Sequence, residues 1–157
     1  MNEADLRFLR RAVELAEEAL NAGDEPFGSV LVDAQGRIRH EDRNRVASGD
    51  RTRHPEFELA RWAADHMTPE ERAGASVYTS GEHCPRCSAA HGWVGLGRIV
   101  YAASSAQLGE WLAAMGVPPG PVAAIPAGEV APNVTVEGPA PELTDEVRAL
   151  HERFYKG

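Results

Sequence analysis

With 157 residues, 43% of them hydrophobic and 25% charged, the chain has material for one substantial core, and 24 acidic against 16 basic side chains leave a formal charge of −8. Such a balance supplies few cations to displace counterions from phosphates, so nucleic acid is disfavoured as a partner and a small-molecule substrate is expected. No apolar run reaches about 18 residues, which excludes a helical membrane span, and Met1-Asn2-Glu3-Ala4-Asp5 lacks the basic and apolar regions of a signal peptide, so a cytoplasmic location is expected.

Leu6, Leu9, Val13, Ala16 and Leu20 recur at helical spacing, which predicts an amphipathic first helix ended by Gly23. Phe27 to Val32 reads as a strand, Asp33-Ala34-Gln35-Gly36 as a turn and Arg37 to Glu41 as a second strand. Six arginines between Arg37 and Arg53 make that stretch locally basic, but no aromatic residues are interleaved for base stacking, so it reads as a solvated or subunit-facing surface. Pro55 has no N–H to leave unpaired, which suits the first turn of a helix over 55–66 and puts His54 at its N-cap.

Ser76 to Thr79 is a short apolar strand, Pro85 opens a helix over about 85–95, and Arg98 to Ala102 is the next strand. This order of elements predicts a three-layer α/β/α domain with a mixed central sheet. A helix over 106–115 follows, completing a core of about 5–116. Seven of the eleven prolines then fall between Pro118 and Pro141, so residues 117–141 should wrap the surface, with Val134-Thr135-Val136 at most an edge strand. A terminal helix opens at about Thr144. Trp93 and Trp111 read as core residues, and His40, His66 and His151 as surface or boundary histidines.

His54-Pro55-Glu56 and Cys84-Pro85-Arg86-Cys87 carry the chemistry. Imidazole and two thiolates suit Zn²⁺, and three protein donors leave a fourth position open for water, as in a catalytic site. Both pairs fall at helix N-termini, where unpaired N–H groups and the helix dipole favour thiolates and a carboxylate. Zinc can bring the pKa of bound water from about 15.7 to roughly 7, and Glu56 would take that proton and return it to a leaving nitrogen. A Cys-x-x-Cys also serves redox sites and structural zinc knuckles. Cys84, Cys87 and His91 share one helical face, so His54 and His91 closing a Cys₂His₂ structural site stays open, beside a packed or second-shell role for His91.

Together the two motifs resemble the zinc-dependent cytidine and deoxycytidylate deaminase superfamily, whose fingerprint is His-x-Glu followed by Pro-Cys-x-x-Cys. Pro26-Phe27-Gly28-Ser29-Val30, Asn44-Arg45-Val46 and Thr79-Ser80-Gly81-Glu82 resemble segments of bacterial guanine deaminases and tRNA adenosine deaminases, so the resemblance spans about residues 5–103. It implies a cytidine deaminase-like fold, His54, Cys84 and Cys87 as zinc ligands, Glu56 as proton shuttle and Asn44 as a substrate hydrogen-bonding residue. It further implies that Phe27 and Ser80 line the pocket, that the reaction is hydrolytic deamination and that the protein is a homodimer.

Three positions depart from the family pattern. Pro55 stands where alanine is common and lacks an N–H for substrate, His83 replaces the proline before the first cysteine, and Arg86 stands where methionine is frequent. His83 is expected at the pocket edge. The leading expectation is a deaminase of a free nucleobase or related aminated heterocycle, nearest to guanine deaminases. A nucleoside or tRNA deaminase is the alternative within the class, and a non-catalytic zinc or redox module the alternative outside it.

Overall fold

A computed structural model describes all residues, 1–157. The amphipathic repeat forms α1, Glu3–Asn21, which buries Leu9, Ala12, Val13 and Ala16 on one face. Asn2 caps it by accepting from the Asp5 amide at 2.9 Å, while the Asp5 carboxylate accepts from the Asn2 amide at 3.0 Å, so two orphan donors of the first turn are paired. The strands β1, Gly28–Val32, and β2, Ile38–Arg43, form the expected hairpin. Its turn is held by Asp33, whose carboxylate accepts from the amides of Gln35 and Arg37, each at 2.9 Å.

There follow α2 (Pro55–His66), α3 (Pro69–Ala73), β3 (Ser76–Gly81), α4 (Pro85–Trp93), β4 (Ile99–Ala103), α5 (Ser105–Ala114), α6 (Ala127–Val130), β5 (Val136–Glu137) and α7 (Pro141–Lys156). The sheet order is β2-β1-β3-β4-β5. β1 is antiparallel to both β2 and β3, whereas β3–β4 and β4–β5 are parallel, so the sheet is mixed as expected.

Successive strand residues point to opposite faces, and the two cores divide accordingly. Val30, Val32, Tyr78 and Val100 pack with α1, α7 and Trp111, while Leu31 and Val77 pack with Leu59, Ala60 and Ala63 of α2. This is the three-layer α/β/α arrangement. Gly28 permits the tightest approach between layers: a Cβ there would lie 2.4 Å from the Ala12 carbonyl oxygen and 2.5 Å from the Leu15 Cβ. On the same face, the buried Asp5 carboxylate accepts from the Tyr78 hydroxyl at 2.7 Å and from Arg98 at 2.5 Å. Burial and that carboxylate push the Tyr78 phenol up to about 12.

Several expectations are corrected. Trp93 is 89% exposed rather than core, because it lies two residues, about 200° of helical rotation, beyond the buried His91. His151 is 2% exposed rather than at the boundary, because it falls with Leu143, Val147 and Leu150 on the inner face of α7. The terminal helix begins at Pro141, three residues before Thr144, with proline again in the first turn. The edge strand is Val136–Glu137 instead of 134–136, and the short α3, opened by a Thr68–Glu71 capping box, has no counterpart in the sequence reading. Trp111 is buried, and His40 and His66 stack on Trp62 with ring centroids 4.9 and 4.5 Å away. No helix is long and apolar enough to cross a membrane.

Candidate functional site

The loop after β2 ends at His54, the N-cap of α2, and β3 leads into Cys84, the N-cap of α4. Two helix N-termini therefore converge at the end of the sheet. His54 Nδ1 lies 3.6 Å from Cys84 Sγ and 3.7 Å from Cys87 Sγ, and the two sulfurs are 3.2 Å apart. Regular tetrahedral zinc would set N···S near about 3.5 Å and S···S near about 3.7 Å, so the imidazole is already placed and the sulfurs need only separate slightly. No other His, Cys, Asp or Glu joins this group, which could hold a metal ion. His91 stands outside it, with Nε2 on the Gly97 carbonyl at 2.7 Å, so the four-ligand alternative is not assembled.

Electrostatics at the cluster favour a cation. The hydrogen bond from Cys87, with His54 beside it, brings the Cys84 thiol down to about 4. The same bond, burial and the negative charges of Glu56 and Cys84 push Cys87 upward. His54 is raised, chiefly by its contact with Cys84. A second thiolate thus forms readily only when a positive charge sits between the sulfurs. The Cys87 amide also donates to Cys84 Sγ at 3.4 Å, directing the α4 N-terminus at the sulfur.

Glu56, in the first turn of α2, is 6% exposed, and burial raises its pKa above the ordinary value of 4.5. Its Oε1 accepts from the hydroxyls of Thr79 at 3.0 Å and Ser29 at 3.2 Å. Those hydroxyls are cross-strand partners in the β1–β3 register and lie 2.9 Å apart. Each carries a single proton, so Ser29 donates either to Oε1 or to the Thr79 oxygen, and Thr79 either to Oε1 or to the Gly81 carbonyl at 2.9 Å. Sequence reading assigned neither hydroxyl a role. The signal was strand alternation, since Ser29 and Thr79 share the face of Leu31 and Val77, towards α2.

These groups open onto a cavity of about 510 Å³ lined by His54, Glu56 and Cys84, with Phe27 and Asn44. Asn44 is 1% exposed and its Oδ1 accepts from the Val46 amide at 3.0 Å, which fixes the side-chain orientation and leaves the NH₂ group as a donor. Pro55 also lines the cavity, without an N–H to offer.

Two expected pocket residues stand elsewhere. Ser80 is fully buried on the opposite face of β3 from Thr79, with its Oγ accepting from the Gly28 amide at 3.1 Å, and it does not line the cavity. His83 also lies off the cavity wall, 1% exposed, with its ring edge-on to His91 at 5.5 Å. Burial, and to a lesser extent His91, depress its pKa and favour the neutral imidazole.

The outer wall carries no sequence motif. Leu108 and Leu112 of α5 and the proline-rich segment 117–124 complete the cavity. Glu82 ties this wall to the site: its Oε1 accepts from the Ser105 amide at 2.9 Å and its Oε2 from the Ala127 amide at 2.8 Å, holding the N-termini of α5 and α6. Phe154 and Tyr155 do not reach the cavity, but His151 packs edge-on against Phe27 with centroids 5.0 Å apart.

Residues 2–103 match the family described as the cytidine and deoxycytidylate deaminase zinc-binding region. A probable cytosine deaminase of Schizosaccharomyces pombe is 32% identical over 108 residues, 69% of this chain and 65% of that protein, so the chain spans just under two thirds of this relative's length. A guanine deaminase of Bacillus subtilis is 36% identical over 104 residues, 66% of this chain and 67% of the relative. The fold of a guanine deaminase from Nitrosomonas europaea superposes with a TM-score of 0.73 over 96% of this chain and 84% of the other, at 24% identity.

Proposed function

The chain belongs to the family of cytidine and deoxycytidylate deaminase zinc-binding regions, and from that premise we propose that it hydrolytically deaminates a free nucleobase or related aminated nitrogen heterocycle of guanine-like shape. In the overall change a ring C–NH₂ and water give a ring C=O and ammonia, a C–O bond replacing a C–N bond without net oxidation. The observation that carries this reading is Glu56, a buried carboxylate of raised pKa on the wall of the cavity onto which His54 and Cys84 of the three-donor cluster also open. A purely structural metal site requires neither the carboxylate nor the cavity.

His54, Cys84 and Cys87 would hold zinc, which when bound supplies Lewis acidity and an acidified water at neutral pH. Glu56 takes the proton from the attacking water and delivers it to the departing nitrogen, and its raised pKa keeps it a usable acid as well as a base. Ser29 and Thr79 hold Oε1 from the sheet side, so the carboxylate does not reorganise between the two transfers. The Asn44 NH₂ group donates to a ring nitrogen or carbonyl of the substrate, while Pro55 withholds the backbone donor that an alanine would provide. A nucleoside or tRNA substrate is the second reading; a cavity wall without Lys or Arg disfavours the tRNA, whose phosphates would need cations. Two copies of the chain are assigned to the working assembly, consistent with Trp93 left 89% exposed at the end of α4.

The test is an ammonia-release screen of zinc-loaded protein over guanine, isoguanine, cytosine, adenine, their nucleosides and aminotriazines. Release from a free base by wild type but not by Glu56→Gln is expected. Equal rates in both proteins, or release from nucleosides alone, would overturn the assignment.

A further inference from the structure

Resting on the deaminase reading above, we propose that the substrate is an uncharged aminated heterocycle bearing an apolar alkyl or aryl arm on the ring edge away from the amino-bearing carbon. A bare purine occupies on the order of 150 Å³ at the packing density of organic crystals. The cavity measures about 510 Å³. A base held between the metal cluster, Glu56 and Asn44 therefore leaves more than half of the space unfilled.

The chemistry of the remaining wall says what fills it. Leu108 and Leu112 of α5 face the segment that contributes Val117, Pro118, Pro121 and Val122. Val122 is 63% exposed, an apolar side chain on a cavity wall with no protein cover. Over residues 118–124 the one backbone hydrogen bond is the local one from the Ile125 amide to the Ala123 carbonyl at 2.9 Å, and the segment is attached at its ends by the Val117 amide on the Leu112 carbonyl at 2.9 Å and the Ala127 amide on Glu82 at 2.8 Å. The side chains of this wall, Leu, Val and Pro, gain by covering an apolar group and favour an alkyl or aryl arm over a ribose.

Charge excludes a phosphate. Every ionisable side chain on the cavity wall other than His54 and Cys84 is a glutamate: Glu25, Glu56 and Glu82. Both oxygens of Glu82 are occupied by amides, and Glu25 is paired with Arg51 at 3.1 Å. Arg86 is directed to the Thr52 carbonyl at 2.6 Å and over the Phe57 ring at 4.2 Å, off the cavity wall. No Lys or Arg lines the cavity to meet a phosphoryl group.

The experiment measures ammonia release by the zinc-loaded wild type, and dissociation constants of zinc-loaded Glu56→Gln by calorimetry, for guanine and aminopyrimidines carrying hydrogen, methyl, propyl, butyl or benzyl on a ring nitrogen. The matching nucleosides and 5′-monophosphates are run alongside. Affinity is expected to rise about three- to fourfold per methylene over the first few carbons, with nucleosides weaker than butyl derivatives and monophosphates weakest. Leu112→Trp, which fills the outer half, and Val122→Glu, which charges it, are each expected to flatten that dependence. Bare bases that bind and react as well as the alkylated series, or monophosphates that bind best, would overturn the inference and leave the deaminase reading intact. A rising affinity series without ammonia release would support the ligand class and overturn the reaction instead. Neither binding nor release would overturn both.

Discussion

Thr79 presents its hydroxyl to Glu56 Oε1 at 3.0 Å, and that single contact joins the central strand of the sheet to the carboxylate that would move the proton. Thr79→Val keeps the branched shape and removes the donor. Loss of a hydrogen bond to a charged acceptor costs about 1.5–3 kcal/mol, so kcat should fall roughly 10- to 100-fold. Because the Thr79 bond holds the Glu56 pKa down against burial, the acid limb of the rate profile should also move to higher pH. A pH–rate profile of both proteins checks this, and a drop in kcat with an unmoved acid limb would assign Thr79 a packing role only.

Glu56 also links the site to stability. Its folded-state pKa lies above the ordinary value of 4.5, chiefly through burial, so between those two values the folded metal-free protein holds a proton that the unfolded chain has released. Stability of the metal-free protein should therefore increase as pH falls through this window and decrease as pH rises through it. Glu56→Gln removes the cost of burying the charge, and its metal-free form should melt about 2–4 °C higher at neutral pH for each ~1 kcal/mol recovered. Calorimetric scans between pH 4 and 8 should show the two proteins converging towards acid.

Asn44 is the recognition residue to test. Asn44→Asp retains an acceptor for the Val46 amide, which keeps the turn after β2, but deletes the NH₂ donor facing the cavity. KM should rise about 10- to 100-fold with kcat little changed, while the newly buried carboxylate lowers the melting temperature of the metal-free protein. A kcat loss at constant KM would contradict a binding role.

Much of this architecture could be read in the sequence because its punctuation is physical. Pro55 and Pro85 mark helix starts, so the positions of His54, Glu56 and Cys84 relative to α2 and α4 followed directly. The zinc-type cluster and the carboxylate beside it followed from donor chemistry. The family resemblance implies a pocket role for Ser80, but strand alternation turns Ser80 to the other face and its neighbour Thr79 towards α2. Residue type alone points His151 outward and Trp93 inward, whereas the helical phase of Leu143, Val147 and Leu150, and of Cys87 and His91, puts the histidine inside and the tryptophan outside. The cavity's outer wall could not be read at all. Proline density excludes regular structure over 117–124, but only the Glu82 link between the N-termini of α5 and α6 determines what that segment covers.

Gly28 offers a test of the frame. A methyl group at this position would meet the Ala12 carbonyl oxygen at 2.4 Å, so Gly28→Ala must push α1 away from β1. Overpacking of this kind costs about 1–3 kcal/mol or more. Because Ser29 follows directly, activity should fall along with stability. A denaturant titration paired with ammonia release checks both, and unchanged activity in a destabilised protein would show that the hydroxyl pair tolerates movement of the strand.

The central claim is an open three-donor metal site beside a carboxylate, and the zinc K-edge absorption spectrum of the metal-loaded protein tests it most directly. Two sulfurs at about 2.3 Å, one imidazole at about 2.0–2.1 Å and one further light atom that exchanges with solvent are predicted. A spectrum with two imidazoles and two sulfurs, and no exchangeable ligand, would contradict it.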